Sequence, residues 1–171
     1  MVVLGIDLSL TATGIIRLED ETILDSQLIK TKKNGDKPTE EVKRLVSIVD
    51  QIKTDGVELV AIEGLAFMAR NTSSLVQLSA LNYFVRKKLM DEEIPFVIVA
   101  PSSLKKFITG KGNSGKDIMF LETYKRYGES FTDDNLCDAF ALSKVAEALI
   151  NKKIKPTKFQ EEVLDLVRTQ L

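Results

Sequence analysis

"VVLGIDLSLTATG", residues 2–14, decides how the rest of the chain is read. Val2, Val3, Leu4 and Ile6 make a strand apolar on both faces, the pattern of a strand inside a covered sheet. Asp7 then puts a carboxylate at the end of that run. A charged carboxylate in a dry interior costs several kcal/mol or more unless it is paired, hydrogen-bonded or bound to a metal. Asp7 is either spent locally, on Ser9 or Thr11, or it belongs to a larger site.

Outward from this strand, residues 14–18 (GIIRL) read as a second strand, "EDET" at 19–22 as a hairpin turn and 22–30 (TILDSQLIK) as a third, giving an antiparallel meander. A Lys-, Asn- and Gly-rich loop over 31–39 follows. Val42, Leu45, Val46, Val49 and Ile52 form the stripe of a helix over 39–54 lying on a sheet. "VELVAIEG", 57–64, is a buried strand ending in Glu63; 72–90 is a long helix; "IPFVIV", 94–99, is another apolar strand. Pro101 opens a short helix through Phe107, "TGKGNSG" at 109–115 is a loop, and 116–127 and 134–150 are helices. Pro156 and the Thr157/Gln160 pair open a last helix to about residue 170. A meander followed by alternating helices and strands predicts a mixed α/β sheet covered on both faces.

At 171 residues, 44% apolar and 29% charged, the chain suits one compact domain with or without a short appendage. No apolar run reaches the roughly 18 residues that span a bilayer, and the N-terminus lacks the pattern of a secretory signal, so no membrane partner is expected. Cys137, the only cysteine, allows no internal disulfide and fits a reducing cytoplasmic setting. The absence of histidine removes Ser–His–Asp and Cys–His chemistry and, with one Cys, makes zinc a poor guest. A metal would need oxygen ligands, which points to Mg²⁺, Mn²⁺ or Ca²⁺. Net charge is −1, but lysines cluster at 30–37, 86–88 (with Arg86), 105–116 and 152–158. Taken singly, such runs are solvated surface.

The acids share one pattern. Asp7 and Glu63 each close an apolar strand, while Asp134 and Asp138 open an apolar helix in "TDDNLCDAFAL". A four-residue step advances about 40° around a helix, so one helical face starts with these carboxylates and continues as core through Ala141 and Val145. Packed on the sheet, that helix would bring its first turn to the strand ends. Singly, Asp133 or Asp134 is explained as a helix cap, with Thr132 as an alternative cap, and Glu63 as a solvent-facing residue. Jointly, carboxylates so close would repel and take up protons unless a divalent ion intervened. Two Mg²⁺ ions about 3.5–4 Å apart activate a water and stabilise the leaving oxygen of a phosphodiester. That chemistry needs Asp and Glu but neither His nor Cys.

With "GIDLSLTATG" (5–14), "LVAIEGLAFMARNTSSLVQL" (59–78), "VAPSSLKKFITGKGNSGK" (99–116) and "DDNLCDAFALSKV" (133–145) in this order, the chain resembles the RuvC family of Holliday-junction resolvases, of the RNase H-like superfamily. "EGLAF" and the short 109–116 loop are most similar to phage-encoded members. The resemblance implies an RNase H-like fold over 1–150, with a five-stranded mixed sheet (three antiparallel strands, then two parallel) flanked by helices, and it leaves 151–171 as a C-terminal helical extension. It implies a homodimer in a bacterial or phage-infected cytoplasm. Two Mg²⁺ per active site, with Mn²⁺ as substitute, would nick opposing strands of branched DNA to leave 5′-phosphate and 3′-hydroxyl ends. The family's metal ligands fall on Asp7, Glu63 and Asp138. A fourth ligand, usual three residues before the last Asp, falls on Asn135 here, so the resemblance points to Asp134, with Asn135 and Asp133 behind it. It further implies Phe67 as an aromatic stacking on a junction base, with core packing as its alternative, Arg70, Lys106, Lys111 and Lys116 as phosphate contacts, and Lys116 as a catalytic lysine beside the scissile phosphate.

Other readings remain open at this point. An ATPase of the actin and sugar-kinase type has a similar first strand but needs two such lobes, so no nucleotide cofactor is expected. A junction-binding protein without catalysis would not need all the acids. Another RNase H-like nuclease, acting on RNA–DNA hybrids or general branched DNA, is the main rival. The 72–90 helix carries two apolar stripes, one with Leu75, Leu78, Leu81, Val85 and Leu89, the other with Val76, Ala80, Tyr83 and Phe84. The second suits either a subunit interface or deep burial. Phe159, Val163 and Val167 make a stripe that either docks on the body or reinforces a dimer.

Overall fold

Strand β1 (Val2–Asp7), apolar on both sides, lies in the middle of the sheet. The computed structural model describes residues 1–35, 37–65 and 72–171. On one flank β1 pairs antiparallel with β2 (Ala12–Glu19), which pairs antiparallel with β3 (Thr22–Lys30). On the other it runs parallel to β4 (Leu59–Glu63), which runs parallel to β5 (Phe96–Val99). The order is β3-β2-β1-β4-β5, the mixed sheet expected from the alternation of elements. The β2–β3 turn has only two residues, Asp20 and Glu21, both at positive φ (46° and 71°), the geometry whose twist matches that of the joined strands.

Alternation along the strands splits the interior into two layers. Leu4, Ile6, Val60 and Ile62 face α1 (Pro38–Asp50) and α2 (Thr72–Asp91). Val3, Leu59, Ala61, Val97 and Val99 face α3 (Pro101–Thr109), α4 (Lys116–Tyr127), α5 (Asp134–Ile150) and α6 (Lys158–Arg168). Helix α5 is the central one, buried almost all round from Cys137 to Glu147. It sits on the strands backbone to backbone. A Cβ at Gly5 would lie 1.9 Å from the carbonyl oxygen of Ala139 and 2.3 Å from the nitrogen of Ser143; one at Gly14 would lie 2.3 Å from the carbonyl oxygen of Asn135. Only glycine allows that approach.

The structure corrects the helix expected over 39–54. It ends at Asp50, Leu45 and Ile48 face the core, and Val42 and Val46 stand exposed. Ile52 is buried from the turn beyond the helix. Helix α2 buries Leu81, Val85 and Leu89; of its second stripe, Ala80 and Phe84 are partly buried against the core, while Val76 (62%) and Tyr83 (63%) stand exposed among the described residues. Helix α6 starts in the expected capping box of Thr157 and Gln160. It docks on the body through Val163, Leu164 and Val167, which join the core under α3 and α5. Just beyond it, the Gln170 side chain accepts a hydrogen bond from the Ile98 backbone N–H (2.8 Å) and donates to the Ile98 carbonyl (3.0 Å), closing the outer edge of β5. Among the described residues no helix is long and apolar enough to cross a membrane.

The contact at Gly5 carries a prediction. Gly5→Ala forces α5 off the sheet and should lower unfolding stability by at least about 2 kcal/mol, the scale of core overpacking, read as a lower urea midpoint at unchanged slope.

Candidate active site

Asp7 ends β1 on the layer that α5 covers, two residues beyond Gly5. The parallel register pairs Ile6 with Ile62, so the next residues of the two strands, Asp7 and Glu63, stand side by side. Gly14 pairs with Asp7 on the other flank, and the first turn of α5 lies against Gly14. The helix therefore opens over the same strand ends, and Asp134 and Asp138, one turn apart, come down beside Asp7 and Glu63.

Asp133 caps α5: its Oδ1 accepts hydrogen bonds from the backbone N–H of Asn135 (2.9 Å) and Leu136 (3.2 Å), and from the Asn135 side-chain amide (3.2 Å). Asp133 and Asn135 are thus turned to each other. Of the three candidates for the fourth acid position, Asp134 is the one that lines the cleft. The cleft has a volume of about 180 Å³; Glu63, Asp134, Asp138, Lys105 and Lys116 line it, with Met119, Phe120 and Cys137 as its less polar wall.

Electrostatics marks these acids as a unit. Burial pushes the Asp7 carboxyl up to about 9, reinforced by the charge of Glu63, by a hydrogen bond to Glu63, and by Asp138 and Asp134. Glu63 is raised by burial, against the hydrogen bond from Asp7 and the positive charge of Lys105. The pair therefore holds a proton between its two carboxyls. Asp138 is pushed up to about 7, by burial first and then by Glu63 and Asp134. Asp134 goes the other way, held below the usual carboxylate range by its hydrogen bond with Lys116, whose ammonium that bond holds charged.

The cluster thus draws in positive charge and protons. Among the described residues no three acidic, Cys or His side chains close around one point as they stand; the carboxylates are turned to each other and to Lys116. The donor set is nevertheless all carboxylate oxygen, which fits Mg²⁺ or Mn²⁺. The one soft donor nearby, Cys137, has its thiol pushed up to about 11 by burial.

Lys106 is turned away to Glu162 of α6 (2.6 Å), and Lys105 lines the cleft instead. Lys111 is exposed in the α3–α4 loop and does not line it. Phe67 and Arg70 lie outside the described residues. Two residues escaped the sequence reading as site residues. Lys105 belongs to a lysine run in which only α3's rotation distinguishes one residue from the next. Asn82, fully buried on α2, points its side-chain amide at the Glu63 carbonyl (3.4 Å) and so supports the end of β4. The signal for it was an amide set between Leu81 and Val85 on an apolar stripe.

The sequence model of the family described as "Crossover junction endodeoxyribonuclease RuvC" matches residues 3–145. The chain belongs to the RuvC family. A RuvC from Brachyspira hyodysenteriae is 30% identical over 151 residues, spanning 84% of this chain and 91% of the relative. Among solved structures, T. thermophilus RuvC in complex with Holliday junction substrate superposes with a TM-score of 0.68 at 21% identity, over 84% of this chain and 90% of that one. Fowlpox virus resolvase in complex with Holliday junction DNA does so with a TM-score of 0.56 at 14% identity, over 88% and 100%. At these identities the superpositions bear on the fold. The RuvC match runs from within β1 to within α5 and so includes all four clustered acids.

The raised carboxyls fix the sign of a pH effect in metal-free protein. Folded Asp7 keeps its proton to about 9 and folded Asp138 to about 7, whereas the unfolded chain releases both near 3.8. Between those limits the folded state binds more protons, so its stability is lost as pH rises. Thermal melting in EDTA should show a midpoint falling from pH 5 to pH 9, and Asp7→Asn should flatten that fall and melt higher than the parent at the alkaline end.

Proposed function

We propose that this chain is a divalent-metal-dependent endonuclease that cleaves four-way (Holliday) junctions. The observation that carries the reading is the meeting of Glu63, Asp134 and Asp138 in one cleft rimmed by Lys105 and Lys116, with Asp7 hydrogen-bonded to Glu63 beside it, in a chain of the RuvC family. These four acids would hold two Mg²⁺, with Mn²⁺ as substitute. When bound, the ions supply an activated water and stabilise the leaving oxygen. The protein's own part is positioning and charge. Asp7 and Glu63 are fixed by the sheet, and Asp134 and Asp138 by the capped first turns of α5. Lys116, exposed and, among the described residues, ion-paired only with Asp134, would turn to the scissile phosphate and offset its developing charge. Lys105 offsets the acids from the other side of the cleft. Arg70, Lys111 and Lys116 contact phosphates, which sets register on DNA without reading sequence, and Phe67 stacks on a base at the junction centre. The products carry 5′-phosphate and 3′-hydroxyl ends.

A second copy of the chain completes the enzyme, since two opposing strands need two active sites. Val76, Tyr83 and Met90, seven residues apart along α2 and each more than 60% exposed, form a stripe with the spacing of a helix–helix seam. A solvent-facing helix gains nothing from such a row, whereas a paired one buries it.

Cleavage of four-way, three-way, flap and duplex DNA and of an RNA–DNA hybrid, side by side with Mg²⁺, tests the function. The four-way junction should be nicked in preference. EDTA and Asp7→Asn should abolish cleavage while junction binding persists; preferred cleavage of the hybrid would instead mark a different RNase H-like nuclease. Lys116→Ala should slow single-turnover cleavage about 100-fold with a smaller effect on binding. Sedimentation velocity should give a dimer at micromolar concentration, and Tyr83→Asp with Met90→Asp should give a folded monomer; a monomeric parent protein would remove the dimer.

A further inference from the structure

We propose that Lys30 and Lys32 hold backbone phosphates of one DNA arm, about three or four nucleotides from the scissile phosphate; this rests on the junction-cleaving function proposed above. Strands β1, β3 and β4 end, and β2 begins, at one edge of the sheet. Asp7 pairs with Gly14 and Gly14 with Leu28, so Lys30 stands two strands across and two residues outward from Asp7. With strands about 4.8 Å apart and about 3.4 Å per residue, their backbones are about 12 Å apart. Lys30 also faces the same side of the sheet as Asp7. Its neighbour Ile29 is buried in the layer of Leu4 and Ile6, so Lys30 points to the layer of α5. A duplex strand with its scissile phosphate at the acids covers that distance in three or four nucleotides, at about 3.4 Å each. Lys105, on the helix that follows β5, bounds the acids on the other flank.

Lysines at a strand end are ordinarily solvated surface. Three observations set these two apart. Both are exposed, and among the described residues neither lies within ion-pair distance of an acid, although acids slightly outnumber bases in the chain. Thr31, between them, is pinned to the loop that follows Asp7. Its N–H donates to the Thr11 carbonyl (3.1 Å) and its hydroxyl to the Leu10 carbonyl (2.5 Å). Arg44 of α1 donates from Nε to the same hydroxyl (3.0 Å) and from Nη2 to the Leu10 carbonyl. The spacing between the lysines and the acids is therefore set by the fold. Finally, that loop offers the exposed hydroxyls of Ser9 and Thr11, 3.2 Å apart, a donor type that phosphates accept from. The polyanion that must cross this edge to reach the acids is the DNA itself.

The test measures binding of a four-way junction to the full chain by fluorescence anisotropy in EDTA, over a range of salt. Lys30→Ala with Lys32→Ala should weaken binding at least about tenfold and make the slope of log affinity against log salt shallower by about 1.8, the release of two phosphate contacts. Its thermal midpoint should match the parent's. Lys152→Ala with Lys155→Ala removes the same charge beyond the end of α5, about 24 Å along that helix from its first turn, and should leave the slope unchanged. A neutral methylphosphonate scanned along the strand on both sides of the nick should weaken parent binding about three or four nucleotides out on one side, with no further loss at that position in the Lys30/Lys32 variant. An unchanged slope in that variant overturns the proposal, as does an equal loss in the Lys152/Lys155 control, since diffuse charge would then account for it. Both outcomes leave junction cleavage by the parent protein intact; failure of the parent to bind the junction at all would overturn the proposed function as well.

Discussion

The site depends on a contact between two backbones. Helix α5 rests on β1 and β2 where Gly5 and Gly14 present no side chain, and the helix comes closer to the sheet than side-chain packing would allow. Because its first turn is laid directly over the end of β1, carboxylates 127 and 131 residues away in sequence from Asp7 arrive beside it. The buried apolar body of α5 holds them there against their mutual repulsion. The acids are badly placed for stability, and the cost is offset by the best-packed helix of the molecule, a common division between a functional site and its scaffold.

How the cluster is tolerated bears on what it does. Three of the carboxylates are raised by burial, one is paired to an exposed lysine, and Lys105 adds charge from the rim. Each compensation is partial and reversible. The proton held by the Asp7–Glu63 pair and the ammonium on Asp134 can both be given up to a stronger positive charge, so a group that would otherwise lock into a structural ion pair stays available.

Much of this was legible in the sequence because the relevant signals are local. Apolar strands ending in a carboxylate, an apolar helix opening on acids and the capping box at Thr157 each point to one conformation, and the element order follows from them. What was not legible is rotational or remote. Which of Asp133, Asp134 and Asn135 reaches the cleft depends on which is consumed as the cap, a choice made by the backbone at Asp133. Lys105 and Lys106 differ only in the direction α3 turns them. The overlong reading of α1 failed because apolar residues continue past the helix end: Ile52 is buried from a turn, so periodicity alone carried the stripe beyond Asp50. The role of Asn82 needed the packing of α2 against the end of β4, which no spacing rule contains.

The side-chain amide of Gln170 binds both backbone groups of Ile98 on the outer rim of β5. It imitates a single residue of a sixth strand. A parallel sheet ending in a bare apolar strand offers a template on which another chain can add itself, and in a protein whose proposed dimer forms through α2, addition there would produce an open-ended polymer instead of a closed pair. One glutamine beyond the last helix therefore bears on how the protein assembles, by occupying the place where a wrong neighbour would begin.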